Sequence, residues 1–542
     1  MVSALQDQPP RDCILYHDPR PASRTHVMAT VLPPPSKRQR REALERSQIQ
    51  HDATSTTVEA GSFKARFVDS EGKELAETIE IPLADATEKN VSSLLNTLLQ
   101  RDREDFTPYR FRIQIPNSNA VIDTYPSPSE FLEVLRKHGV ENPFETTITL
   151  SAEPQAVFKV QAMTRMAHKI PGHGQPILTA QFSPKTGSVL ATGSGDSTAR
   201  IWNTESGTPK YTLQHSGWVL VCSFDPSGQY LATGGMDKMV WLWDPETGKQ
   251  IGKPFTGHNK WITSISWQPF HLWREDGPRL ASASKDATIR VYLANSGVTH
   301  HVLSGHKTSV TMVKWGGLDH IYSSSQDKTI KIWNALDGTI RHTLSAHAHW
   351  VNHIALSTDA VLRTGFYDHT RDVPASTEDK RAKAKARFEK AATHGGKIVE
   401  RLVSASDDCT VFIWEPEQSL KPINRLLGHQ KQVNAVIFSP DGRLIASASW
   451  DNQVKIWDRD GKFIATLRGH VAPAFQIAFS ADSRLCISCS RDTTLKVWDM
   501  RTFKLKADLP GHEDEVYAVD WSPDGACAAS GGKDKAVRLW RH

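Results

Sequence analysis

Eight times between residues 173 and 540 the chain sets a histidine, a hydroxyl residue, an aspartate and an aromatic residue at near-fixed spacing. Hydroxyl, imidazole and carboxylate are the parts of a hydrolase triad, in which the base frees a nucleophile and the acid orients the base. The histidines are His173, His215, His258, His306, His347, His429, His470 and His512. The hydroxyls are Thr192, Thr233, Ser282, Ser323, Ser404, Ser447, Ser488 and Ser530. Four residues after each stand Asp196, Asp237, Asp286, Asp327, Asp408, Asp451, Asp492 and Asp534. Six further on come Trp202, Trp243, Tyr292, Trp333, Trp414, Trp457, Trp498 and Trp540. Eight copies argue for packing rather than for eight active sites. The four groups can satisfy one another as a hydrogen-bonded chain that ties a turn to the strands beside it. Tyr292 breaks the pattern by removing an indole donor, so Asp286→Ala is expected to cost less than Asp451→Ala.

Other chemistry is sought without result. No phosphate-binding loop, zinc-protease helix, nucleophile elbow or dinucleotide fingerprint is present. Cys486 and Cys489 have chelating spacing, but an odd separation in a strand points them to opposite faces, and no second pair completes a zinc site. His347, His349 and His353 cluster in sequence, yet His347 already belongs to a tetrad, so a structural role is expected. The sequence does not read as an enzyme.

The histidines recur at 42, 43, 48, 41, 82, 41 and 42 residues. A period near 40–45 is that of a four-stranded propeller blade. Gly305-His306, Gly428-His429, Trp243-Asp244 and Trp498-Asp499 carry a resemblance to the WD40 family, with Gln214 and Ala346 as mild departures. The fold class implied is mainly β: an eight-bladed WD40 propeller over residues 153–542, with seven blades plus a degenerate repeat as the alternative. The last repeat lacks an outer strand, and Ala156–Val160 is expected to supply it, which would remove both open edges. Trp218, Trp261 and Trp350 each follow a blade histidine by three residues. They are expected at one rim, either as partner-binding anchors or as packing between neighbouring blades.

Residues 1–60 are polar and Pro-rich and read as a disordered basic tail. Lys37, Arg38, Arg40 and Arg41 there form a candidate nuclear import signal or RNA-touching arm, with a solvated tail as the alternative. Nothing in residues 1–27 reads as structural, so Met28 is an alternative start. Residues 61–152 precede the propeller as a small α+β domain of order ββαββαβ, a ubiquitin-like β-grasp without a diglycine, hence a docking module. Its first helix is marked by Val91, Leu94, Leu95, Leu98 and Leu99. The 82-residue interval holds a basic insertion at about 364–399 in blade five, expected to project toward RNA or an acidic partner, or to be a solvated helix. Lys+Arg 65 against Asp+Glu 60 gives a net charge of +5, too small to predict nucleic-acid binding in bulk. No apolar run approaches the roughly 18 residues that span a bilayer, so no membrane association is expected. Six cysteines in 542 residues are too few for a disulfide scaffold.

A β-grasp followed by these blades resembles the Notchless family of large-subunit ribosome assembly factors over about residues 28–542. The matching segments are Pro33–Lys37, Pro154–Val160, Ser345–His353, Gly511–Val516, Gly532–Lys535 and Val537–Trp540. The resemblance implies a nuclear and nucleolar protein, a monomer within the pre-60S particle. Its ubiquitin-like domain is implied to be gripped by the metal-ion-dependent adhesion (MIDAS) domain of the AAA ATPase midasin. The docking carboxylate is implied to be Glu145, completing an Mg²⁺ held by that partner, with Glu141 as the rival; the chain itself needs no cofactor. The competing expectation is a WD40 adaptor or substrate receptor in ubiquitin or Notch-type signalling.

Overall fold

The computed structural model describes residues 61–542, except 70–72, 100–108, 115–120, 123–125, 127–130, 138–141, 143, 145, 155–159, 369–372 and 395. The basic run at Lys37–Arg41 therefore lies outside the described residues, as do Glu145, Glu141 and Ala156–Lys159.

The first sheet is built from alternating sequence. Strand β1 (Ser62–Val68) buries every second residue and pairs antiparallel with β2 (Glu74–Pro82). Helix α1 (Glu88–Leu98) is capped by Thr87, whose hydroxyl accepts the Asn90 N–H at 3.3 Å. Strands β3 (Tyr109–Gln114) and β4 (Val121–Ile122), helix α2 (Phe131–Lys137) and strand β5 (Thr147–Pro154) follow. The sheet order is β2-β1-β5-β3-β4, with β5 parallel to β1 at the centre: the β-grasp topology. Phe63, Phe67, Phe111 and Leu150 from the sheet meet Val91, Leu95, Phe131 and Leu135 from the helices in one core. The predicted helix stripe is narrower than its spacing suggests: Val91 and Leu95 are buried, Leu94 and Leu99 half-buried, Leu98 exposed.

Eight blade sheets follow, besides a two-stranded ribbon (Thr393–His394 with Lys397–Ile398) in the insertion, and each blade is led by an inner strand: Ile177–Phe182, Val219–Phe224, Ile262–Trp267, Val310–Trp315, Val351–Leu356, Val433–Phe438, Ala474–Phe479 and Val516–Trp521. All eight inner strands carry a bulge at their second residue. Each bulge adds local twist at the same height of its blade. Neighbouring blades bury Val, Ile and Ala from these strands against one another, and side chains reach between them. Thr263 Oγ1 donates to the Val310 carbonyl at 2.8 Å, and Asn434 Nδ2 to the Ala474 carbonyl at 2.9 Å. In blade two the outer edge is reduced to two bridges, Val240 with Phe255 and Trp243 with Gln250.

Blade eight takes its outer strand from the beginning of the propeller. That strand is β6 (Arg165–Pro171), pairing antiparallel with Ala536–Arg541. This corrects the expected closing strand, Ala156–Val160. Outer strands here face solvent and bury little more than one side chain, so the apolar Ala156–Val160 was the wrong type of sequence for the place. In β6 only Ile170 is buried, three residues before His173, as Leu303 and Leu509 stand three before His306 and His512. That register was the available signal. Val160 instead packs in the cluster shared by the last two blades, its N–H donating to Asp482 Oδ2 at 2.7 Å.

Candidate interaction surface

The tetrads form as hydrogen-bonded chains. In blade six Trp457 Nε1–H donates to Ser447 Oγ at 3.0 Å, Ser447 Oγ meets His429 Nε2 at 2.8 Å, and His429 Nδ1 meets Asp451 Oδ2 at 2.8 Å. His173 with Thr192, Asp196 and Trp202, His470 with Ser488, Asp492 and Trp498, and His512 with Ser530, Asp534 and Trp540 repeat it within 2.7–2.9 Å. Burial alone would raise the Asp196 carboxyl, but hydrogen bonds from Thr198, the Gly174 N–H and His173 outweigh it and hold it at about 2. Burial holds His173 and His512 below the ordinary imidazole range. In blades one and eight a neutral ring thus bridges an ionised carboxylate and a hydroxyl. All eight hydroxyl residues are fully buried, so no substrate could reach an Oγ, and these sets are braces rather than triads.

Blade three departs as its aromatic predicts, but not where expected. The Tyr292 hydroxyl lies 3.5 Å from the Thr256 carbonyl and also meets Ser282, so Ser282 has a phenol beside it in place of the indole donor. Asp286 loses nothing: it accepts from His258, the Asn259 N–H, and both the N–H and hydroxyl of Thr288. Asp451 accepts from His429 and from the Gln430 and Gln453 N–H groups, with no hydroxyl donor. The expectation that Asp286→Ala costs less than Asp451→Ala is therefore corrected: the missing indole acts on Ser282.

The residue after each tetrad aspartate turns the chain with positive φ. Ser197, Lys238, Ala287, Lys328, Cys409, Asn452, Thr493 and Lys535 lie between 62° and 70°. These turns and the segments after the tetrad histidines make one face of the propeller. The three tryptophans belong to it. The carbonyls of Trp218, Trp261 and Trp350 accept the N–H of Met236, Lys285 and Asp407, the residue before each tetrad aspartate, at 2.8–3.0 Å. Trp218 is 36% exposed and its ring also lies over Gly195 of blade one. Trp261 is half-buried under the Lys285 ammonium, 4.7 Å from its ring centroid, and Trp350 is half-buried beside His349.

The insertion occupies the opposite face. Helix α3 (Asp359–Thr364) and helix α4 (Thr377–Ala392, capped by Ser376) fold back onto the blades rather than projecting. Arg363 on α3 ion-pairs with Asp520 of blade eight and donates to the Phe182 carbonyl of blade one at 3.2 Å. Tyr367 Oη donates to the Ser227 carbonyl of blade two at 3.1 Å, and Phe366 packs on Phe270 of blade three. Phe388 of α4 stacks on His271 and covers Gly317 of blade four, where a Cβ would lie 2.1 Å from the ring. Every one of these contacts is at or beyond the far end of an inner strand. Beneath the insertion Glu400, fully buried, accepts the Thr358 hydroxyl and the Gly317 N–H, with Tyr322 Oη at 3.3 Å. Burial pushes its carboxyl up to about 7. Sequence reading missed Arg363 and Glu400; the glycine pair Gly316-Gly317 was the only local hint that something seats there.

The other candidates separate. His349 approaches Asp407 at 3.5 Å while half-buried His353 has its ring held below the ordinary imidazole range by desolvation, so the three histidines do not converge. Cys486 and Cys489 are both buried, in different clusters on the two sides of one strand. Among the described residues no group of His, Cys, Asp or Glu has metal-binding geometry, and no helix is long and apolar enough to cross a membrane.

The family model for the WD domain, G-beta repeat, matches residues 165–203, 207–244, 248–292, 297–334, 420–458, 461–499 and 503–541. Those seven leave out the blade divided by the insertion, which the structure supplies as the eighth sheet, Val351–Leu356 with Leu402–Ser406, Val411–Trp414 and Asn424–Leu426. Ribosome assembly protein 4 of Chaetomium thermophilum is 63% identical over 441 residues, covering 81% of this chain and 85% of that protein. Its Saccharomyces cerevisiae namesake is 48% identical over 81% of this chain and 85% of its own length. Protein Notchless of Drosophila melanogaster is 41% identical, over 75% and 79% respectively. The crystal structure of the computationally designed Ika8 protein is alike in fold, with a TM-score of 0.54 at 23% identity over 70% of this chain and the whole of that one.

Proposed function

Because the chain belongs to the WD40 repeat family and to its Notchless branch, we propose that it is a non-enzymatic assembly factor of the large ribosomal subunit, working in the nucleus and nucleolus. The observation that carries this is the 63% identity to a ribosome assembly protein over most of both chains. In this reading the propeller docks on the pre-60S particle, with Trp218, Trp261 and Trp350 as anchors. Aromatic side chains standing at the edge of a rigid scaffold are the residues that most often dominate docking energy. The scaffold reading is supported by the buried tetrads, which leave the eight hydroxyl sets without catalytic access.

The ubiquitin-like domain is the proposed handle for a midasin-type ATPase, with Glu145 giving its carboxylate to an Mg²⁺ held by the partner's MIDAS domain. Glu145 precedes β5 by two residues. A carboxylate is the hard oxygen donor that Mg²⁺ prefers, at 2.0–2.1 Å. Glu145→Asp withdraws that oxygen by about 1.5 Å, one C–C step, and Glu145→Gln removes the charge. Both variants of the full chain should still sediment with pre-60S particles but lose divalent-dependent binding to the MIDAS domain. Wild-type binding that survives EDTA, or Glu145→Asp binding like wild type, refutes the metal bridge and moves attention to Glu141. Pull-down of a ubiquitin ligase complex in place of 60S proteins would favour the adaptor reading.

A further inference from the structure

The propeller's repeat supplies its own controls, because the same registers can be compared blade by blade. On the tetrad face each blade shows the three residues after its histidine and the two flanking its aspartate. In blades two, three and four these positions hold Lys238, Lys260, Lys285, Lys307 and Lys328, together with Trp218, Trp261, Met236 and small or amide residues. None is an acid and none is an arginine. The same registers of blade eight hold Glu513, Asp514 and Glu515, which are neutralised in place, while blade five shows Asp407 and blade six a single cation, Lys431. Arg491 meets Glu515 at 2.8 Å, Lys533 meets Asp514 at 3.3 Å, and Lys169 pairs with Glu513. Blade one offers no charge there at all.

The five lysines are not neutralised. Among the described residues none of them has an ion-pair partner, and all but Lys285 are exposed. The tetrad carboxylates beneath are no substitute, since the Asp237, Asp286 and Asp327 side chains are only 0%, 9% and 6% exposed and already bound to histidine. An arc of ammonium groups without ion-pair partners, spread over three adjacent blades, favours an anionic partner. Two indoles lie within the arc, Trp218 exposed and Trp261 with the Lys285 ammonium already held over its ring.

We propose that the tetrad-side turns of blades two to four form a binding surface for an unpaired RNA segment. The lysines take successive phosphates as point charges, and Trp218 and Trp261 take base faces. Stacking of bases on aromatic rings beside a cationic track is how single strands are held without sequence readout. An acidic peptide fits less well, because no arginine fork is present to take a carboxylate in two bonds. The opposite face is already occupied by the insertion, so this arc lies on the side left open. The proposal gives a chemical partner to the particle-docking reading above and rests on it.

The test is fluorescence anisotropy of the full chain with a labelled 20-nucleotide oligouridine across a salt series. Wild type should bind with a log–log salt slope approaching about −3.5, five phosphates at about −0.7 each for a single strand. Lys238→Gln with Lys260→Gln and Lys307→Gln should reduce the slope to about −1.4 by the same rule. Trp261→Ala should lose roughly 10-fold in affinity at unchanged slope. Lys533→Gln with Lys535→Gln, the same registers on blade eight, is the control and should bind like wild type, with melts confirming that every variant is folded. Binding weaker than about 100 µM near physiological salt, an unchanged slope in the triple variant, or equal binding of a 20-residue oligoglutamate each overturns the proposal. Pre-60S sedimentation separates the two failures. Particle association without RNA binding sinks only this surface, whereas no particle association sinks the docking reading itself.

Discussion

Arg363 and Asp520, 157 positions apart in the chain, hold one another across the propeller, Nη1 donating to Oδ1 at 2.9 Å from the insertion of blade five to the inner strand of blade eight. Asp520 also accepts the Phe182 N–H of blade one at 2.8 Å, so one carboxylate joins three parts of the ring. Half of this pair without the other leaves a largely desolvated charge.

Arg363→Met should therefore destabilise the propeller by about 1–3 kcal/mol, the cost of orphaning a charged acceptor. Asp520→Asn in the same chain should restore part of the loss. Urea midpoints of the two single variants and the double variant measure the coupling. Additive losses would mean the bridge carries no energy of its own.

Glu400 makes stability depend on pH near neutrality. Its folded pKa is raised from the ordinary value of 4.5 to about 7. A raised carboxyl contributes stability that is fully present below about pH 4.5 and lost as pH rises through about 7. Glu400→Gln keeps an acceptor for Thr358 and Gly317 without ionising. The variant should gain on wild type by about 2–4 kcal/mol between pH 5 and pH 8 at 1.36 kcal/mol per pKa unit. Urea unfolding of both proteins across that range tests it, and a constant difference would show that Glu400 does not titrate there.

Among the tetrads, Asp451→Ala should cost about 1–3 kcal/mol, and Asp286→Ala at least as much, since Asp286 accepts four hydrogen bonds and Asp451 three. Ser282→Ala should be the mild change, because Ser282 lacks an indole donor that Ser447 has. Thermal melts rank the three, and a smaller loss at Asp286 than at Asp451 contradicts the hydrogen-bond count.

Sequence alone disclosed what is local and periodic. Each tetrad closes within one blade, so its spacing survives in the chain, and the Val91–Leu95 stripe marks α1 for the same reason. What it concealed depends on distant partners. Phe388 reads as one aromatic in a lysine-rich helix until Gly317 and His271, far earlier in the chain, are found beneath it. Ile170 is a single apolar residue in a polar strand, and only its register relative to His173 distinguishes it. Trp218 and Trp261 were legible as rim residues, but the lysines around them gained meaning only when three blades were placed side by side.

The last hydrogen-bonded ribbon of the ring joins Pro171 to Ala536, 365 positions later. At about 5–20 residues per second, the earlier half leaves the ribosome tens of seconds before its mate exists. Its mostly polar, water-facing composition lets it wait without recruiting the wrong neighbour, as lone edges otherwise do. A prematurely terminated polypeptide can never complete the circle and keeps an unzipped flank exposed to proteases. Closure thus reports that synthesis has passed Arg541, the far edge of that ribbon.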